Sequence, residues 1–102
     1  MREETKEAKN KATERDIENY LVHQVKSLGG MCIKLSPDWY TGIPDRLCLL
    51  PKGRAFFVEV KAPGKRERKA QRVFGNKLRE LGFTALVVDS KCLVNKTLNI
   101  YA

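Results

Sequence analysis

The 102-residue chain has one histidine, His23, and three cysteines, Cys32, Cys48 and Cys92, with no CxxC spacing among them. That supply is too thin for the usual His/Cys zinc centre. An odd, scattered set of cysteines in or near apolar runs predicts buried thiols in a reducing compartment rather than a disulfide framework. No apolar run approaches the ~18 residues that cross a bilayer, and the opening MREETKEAKNKATERD is polar throughout. Neither a signal peptide nor a membrane anchor is therefore expected, and a cytoplasmic protein is. Repeats, low-complexity tracts and linkers are also missing, which predicts one domain over residues 1–102 with one modest core. Acidic residues are comparatively few: twelve against twenty Lys and Arg, for a net charge of +8 and a pI near 9.6. A small domain this basic commonly faces a polyanion, nucleic acid more often than an anionic membrane. The plain alternative is that the lysines serve solubility.

The apolar pattern alternates between helical and strand periods. Residues 1–12, charged but nearly balanced, read as a frayed helical lead-in. From Thr13 an amphipathic helix is expected, opened by a Thr13…Asp16 capping box, striped by Ile17, Tyr20, Leu21, Val25 and Leu28, and stopped at Gly29-Gly30. Strands are predicted at 31–35, 45–50 and 54–62. A loop with two prolines and a glycine separates the first two, and Pro51-Lys52-Gly53 turns the second into the third. A second helix is predicted over 66–81 from Ala70, Val73, Phe74, Lys77, Leu78 and Leu81. It is followed by an apolar strand at 83–89, and the tail from Ser90 reads as a short helix and then a strand. A helix crossing over to a parallel strand makes this an α/β sandwich with a mixed sheet.

The third strand carries charge where a core strand should not. By strand parity Phe56, Val58 and Val60 share one face, and Ala55, Phe57, Glu59 and Lys61 the other. Glu59 and Lys61 then project together with Cα atoms ~7 Å apart. Asp45 lies about as far before the hairpin turn as Glu59 lies after it, so antiparallel pairing sets the two carboxylates side by side. Paired carboxylates raise each other's pKa unless a cation lies between them. Lys61 supplies part of that charge, and a hard divalent ion such as Mg²⁺ supplies it better, with the Val60 backbone carbonyl as a third protein ligand. The ion would act as a Lewis acid on a phosphate, and Lys61 would orient a water or stabilise developing charge. The plain alternative is an exposed i, i+2 ion pair. A second Pro-Asp, at Asp38, lies too far from the turn to pair with Glu59 and is rejected as a ligand.

Gly42-Ile43-Pro44-Asp45 followed by Glu59-Val60-Lys61 resembles the PD-(D/E)xK nuclease signature. The longer string GIPDRLCLLPKGRAFFVEVKAPG, with Gln71 downstream, resembles stand-alone VRR-NUC domains within that superfamily. The resemblance implies a restriction-endonuclease-like αβββαβ core and a Mg²⁺- or Mn²⁺-dependent endonuclease acting on DNA in a bacterial or phage-infected cell. It further implies Asp45 and Glu59 as metal ligands, Lys61 as the catalytic lysine and Gln71 approaching the site from the second helix. The family also uses a glutamate from the first helix. Glu18, beside the Ile17 and Leu21 stripe, is the choice, with Glu14 as its competitor. Stand-alone members resemble Holliday junction resolvases, so branched DNA and a homodimer are expected. The alternative class is a basic nucleic-acid-binding module on the same fold without catalysis.

From Lys61 to Glu80 eight basic residues face two acidic ones, so this stretch holds +6 of the total +8. Lys65, Arg66, Arg68, Lys69 and Arg72 are its candidate phosphate contacts, of the kind that give affinity without sequence choice. Trp39 and Tyr40, just before the Pro44-Asp45 pair, either stack on an unpaired base or pack the loop or a dimer interface.

Overall fold

The computed structural model describes residues 12–101; the lead-in expected at 1–12 lies, but for its last residue, outside the described residues. Thr13 caps the first helix, α1 (Glu14–Ser27). Its hydroxyl accepts from the Asp16 N–H at 3.1 Å and the Asp16 carboxylate accepts from the Thr13 N–H at 3.0 Å, the expected capping box. Ile17, Leu21 and Val25 bury the apolar stripe, whereas Leu28, past the last turn, stays partly exposed.

Three antiparallel strands follow, β1 (Met31–Lys34), β2 (Arg46–Leu50) and β3 (Arg54–Val60). Pro51-Lys52-Gly53 makes the β2–β3 turn as one 3₁₀ turn with Lys52 at φ 72°. The register runs from Leu50 opposite Arg54 to Arg46 opposite Val58. Helix α2 (Lys69–Glu80) crosses over to β4 (Ala85–Val88), which pairs parallel with β3, giving the sheet order β1-β2-β3-β4. The mixed sheet and the helix-strand-strand-strand-helix-strand order are as the sequence predicts.

The chain closes with α3 (Lys91–Tyr101), one continuous helix where a short helix and a strand were expected. Thr97, Ile100 and Tyr101 suit a strand, but Val94, Thr97, Leu98 and Tyr101 recur at helical spacing. Val94, Thr97 and Leu98 are buried, Tyr101 stacks on Phe56 at 4.6 Å between centroids, and the Tyr20 hydroxyl donates to Asn95 at 2.8 Å. Packing decided the conformation that propensity left open.

The core lies between the sheet and the α1/α3 layer, where Ile17, Leu21 and Val25 meet Cys48, Phe56, Val58, Val60, Val88, Val94 and Leu98. The opposite sheet face carries Glu59, and α2 lies over its β4 side. That helix buries Gln71 and Gly75 rather than its apolar stripe: Val73 and Leu81 are about 60% exposed, and Ala70 and Lys77 also face out. The sheet offers α2 the Glu59 carboxylate, and the helix turns Gln71 inward to meet it. Gly42 fixes that rotation. A Cβ there would stand 2.2 Å from the Ala70 carbonyl oxygen, so only glycine lets the loop before Asp45 abut the first turn of α2.

A candidate active site at the open end of the β2–β3 hairpin

Continuing the β2–β3 register by one step places Asp45 opposite Glu59, as counting outward from the turn requires. Two backbone contacts hold Asp45 there. Its carbonyl accepts from the Leu35 N–H at 2.9 Å, and its Oδ2 accepts from the Val60 N–H at 2.7 Å. The loop 36–44 therefore returns to the sheet already joined to both neighbours, with Asp45 fixed at its end.

Glu59 is only 4% exposed. Its Oε2 accepts from Gln71 Nε2 and lies 3.4 Å from Lys61 Nζ, while its Oε1 is buried without any hydrogen-bond partner. Gln71 is itself oriented, because its Oε1 accepts from the Arg68 N–H at 2.8 Å. Burial, and then the negative charge of Asp45, push the Glu59 carboxyl up to about 7, against the opposing pull of Lys61. A carboxylate pair in which one member is buried with an orphaned oxygen is short of positive charge. Asp45, Glu59, Lys61 and Gln71 are thus gathered at one end of the hairpin, with the Val60 backbone between the two acids.

Glu18 sits elsewhere. Its Oε2 accepts from Arg46 Nε at 2.7 Å and from Lys34 Nζ at 3.3 Å, and Arg46 Nη1 also donates to the Cys32 carbonyl at 3.3 Å. Arg46 shares the parity of Cys48, so this cluster occupies the α1 side of the sheet while Asp45 points to the α2 side. Glu14 is exposed, as is Asp38 in its loop. Among the described residues no group of three His, Cys, Asp or Glu side chains stands together as a metal cluster. The role of Arg46 as clamp on Glu18 went unread in the sequence, although an arginine directly after the Pro44-Asp45 pair was its signal.

The basic residues divide between two surfaces. Lys65, Arg66 and Arg72 line a groove of about 430 Å³ with Glu67 and Val87, and Val87 is the β4 residue paired with Glu59. Lys69 instead lines an apolar groove of about 760 Å³, floored by Ala70, Val73, Phe74, Leu78 and Leu81 and flanked by Tyr40. The Tyr40 ring meets Phe74 edge-on at 5.4 Å, and Trp39 is exposed. Arg68 precedes α2 and supplies the backbone donor to Gln71.

No family model matches the chain. It is 40% identical over 80 residues, 78% of this chain and 86% of the other, to the protein named "Putative nuclease p44" of Acyrthosiphon pisum secondary endosymbiont phage 1. A solved structure described as a VRR_NUC domain superposes with a TM-score of 0.80 at 31% identity, covering 89% of this chain and 100% of the other.

Proposed function

Because the chain belongs to the VRR-NUC nuclease family, we propose that it is a Mg²⁺- or Mn²⁺-dependent endonuclease that hydrolyses DNA phosphodiester bonds at the Asp45–Glu59 pair. The observation that carries this reading is Glu59: a buried carboxyl beside a second acid, with one oxygen unpartnered and a raised pKa. That donor chemistry fits a hard divalent cation, which would relieve the repulsion that Lys61 offsets only in part. Asp45, Glu59 and the Val60 carbonyl are the ligands we assign. A ligand role for Glu18 would require its carboxylate to leave Arg46 and Lys34.

When bound, the ion supplies Lewis-acid polarisation at the scissile phosphate. The protein's own groups do the rest. The Val60 N–H and Gln71 Nε2 hold the two carboxylates in place, so no side-chain reorganisation is needed when substrate arrives. The ammonium of Lys61, 3.4 Å from Glu59, orients the attacking water or meets the negative charge that grows on the phosphoryl oxygens. Lys65, Arg66 and Arg72, in the groove on the same side of the sheet, grip flanking backbone phosphates without reading bases.

The substrate we favour is branched DNA, cut by a homodimer with two active sites related by a two-fold axis. Support for self-association comes from the apolar face of α2, where Val73 and Leu81 are about 60% exposed. Incubation with a four-way junction, a flap and plain duplex, each with Mg²⁺, Mn²⁺ or EDTA, tests the reading. Cutting of the junction in the presence of either ion and none in EDTA is expected. Metal-dependent binding without any cutting would favour a non-catalytic module, and equal cutting of duplex and junction would remove the structural selectivity. Light scattering that gives a monomer at all concentrations would remove the dimer.

A further inference from the structure

Cys32 and Cys48 stand directly opposite each other in the antiparallel β1–β2 pairing, and their sulfurs are 3.7 Å apart. Directly opposed residues of antiparallel strands keep Cα atoms roughly 4.5–5.5 Å apart, inside the window of roughly 4.4–6.8 Å that a disulfide spans. Both side chains lie on the α1 side of the sheet, away from Asp45 and Glu59. Access is asymmetric: Cys48 is fully buried in the core, while Cys32 is partly exposed near the sheet edge. Cys92, exposed on α3, lies outside the pair. The hydrogen bond shared with Cys48 lowers the Cys32 thiol from its ordinary pKa, assisted by Arg46, and the same contact together with burial pushes the Cys48 thiol up.

We propose that Cys32 and Cys48 are a redox modification site, converted to a reversible disulfide by exchange with a small disulfide of the glutathione class. The Cys32 thiolate attacks one sulfur of the oxidant, the oxidant's S–S bond breaks, and one thiolate leaves. Cys48, once deprotonated, attacks the Cys32 sulfur and expels the second thiolate. The two cysteines lose two electrons and two protons, and the oxidant is reduced to two thiols. Access orders the steps, since of the two cysteines Cys32 is the one within reach of the oxidant and Cys48, its sulfur 3.7 Å away, is placed to resolve the adduct. The resulting bond closes a ring that contains the whole 36–44 loop and Asp45. It therefore staples together the two strands between which that loop delivers the acid, without touching the carboxylate face.

The full chain carrying Cys92→Ser is incubated with oxidised glutathione and followed by thiol titration and intact mass. Both remaining thiols should disappear, the mass should fall by that of two hydrogens, and a dithiol reductant should reverse the change. The oxidised form should melt on the order of 10 °C higher, and metal-dependent DNA cutting should persist. Adding Cys32→Ser should abolish the mass change. Two thiols that remain titratable, a stable glutathione adduct, or a covalent dimer would each overturn the assignment. Peptide mapping of the oxidised wild-type chain for a Cys32–Cys48 cross-link decides the matter if the Cys92→Ser protein does not fold.

Discussion

Substitution of Gly42 by alanine probes how the loop, α2 and the acid pair are coupled. Gly42 has φ +82°, and a Cβ added there would lie 2.2 Å from the Ala70 carbonyl oxygen and 2.6 Å from the Ala70 carbonyl carbon. Ordinary contact begins near 3.4 Å, so loop and helix must separate by about an ångström, and both clashes are with backbone that cannot rotate away. The left-handed conformation alone costs an alanine ~1–2 kcal/mol. Forcing the packed surfaces apart adds ~1–3 kcal/mol, for a total on the order of 3 kcal/mol. Gly82 provides the control: its φ is +96° but nothing lies within 4 Å of an added Cβ. Urea denaturation should therefore show Gly42→Ala roughly 2 kcal/mol less stable than Gly82→Ala, the difference being the clash. Gln71 follows directly on Ala70 and holds Glu59, so the same shift should lower cleavage by ~10²-fold, whereas Gly82→Ala cuts normally. Equal stabilities and equal activities for the two variants would show that Gly42 does not couple the loop to α2.

Other consequences are open to equally direct measurement. The Glu59 carboxyl is raised to about 7 in the folded chain, against about 4.3 when unfolded. The folded state thus keeps a proton that the unfolded chain has released. In EDTA this contribution to stability is complete below pH ~4 and is lost as pH rises through 7, a loss on the order of 2–3 kcal/mol. Glu59→Gln should flatten that slope in urea titrations, and a wild-type curve that rises between pH 5 and 7.5 from this site would contradict it. Arg46 and Glu18 are each about 15% exposed and paired at 2.7 Å. Arg46→Ala should cost ~3 kcal/mol by leaving Glu18 short of its partner, and the double variant should cost less than the sum of the singles in a thermodynamic cycle. Replacing Lys65, Arg66 and Arg72 with alanine should weaken DNA binding similarly for all sequences. It should also reduce the slope of log affinity against log salt by up to ~0.9 for each phosphate that the variant no longer neutralises. An unchanged salt slope would remove the groove from the interface.

Much of this site is legible in the sequence, because strand parity and hairpin counting are exact integers. Residues 45 and 59 pair because 46 pairs with 58 and 50 with 54, and Pro51-Lys52-Gly53 announces the turn. The rotation of α2 is a different matter. Its apolar residues recur at helical spacing, which by itself predicts that they face the sheet. Gln71 faces it instead, because the sheet offers a carboxylate there and because Gly42 admits the helix backbone from the side. That information sits in one glycine and one glutamine rather than in a periodicity. The position of Glu18 was similarly hidden: helix spacing places it beside Ile17 and Leu21, but only the sheet order shows that Arg46 and Lys34 reach it first. The conformation of the tail is hidden for another reason, since its partners Phe56 and α1 lie far away in sequence.

Single-turnover cleavage by Asp45→Asn and Lys61→Ala beside the wild type tests whether Asp45, Glu59 and Lys61 act as one metal-dependent hydrolytic centre. With folding verified by denaturation, both variants should bind the DNA but cut it at least ~10²-fold more slowly in Mg²⁺ or Mn²⁺. Undiminished cutting by folded Asp45→Asn would contradict that expectation.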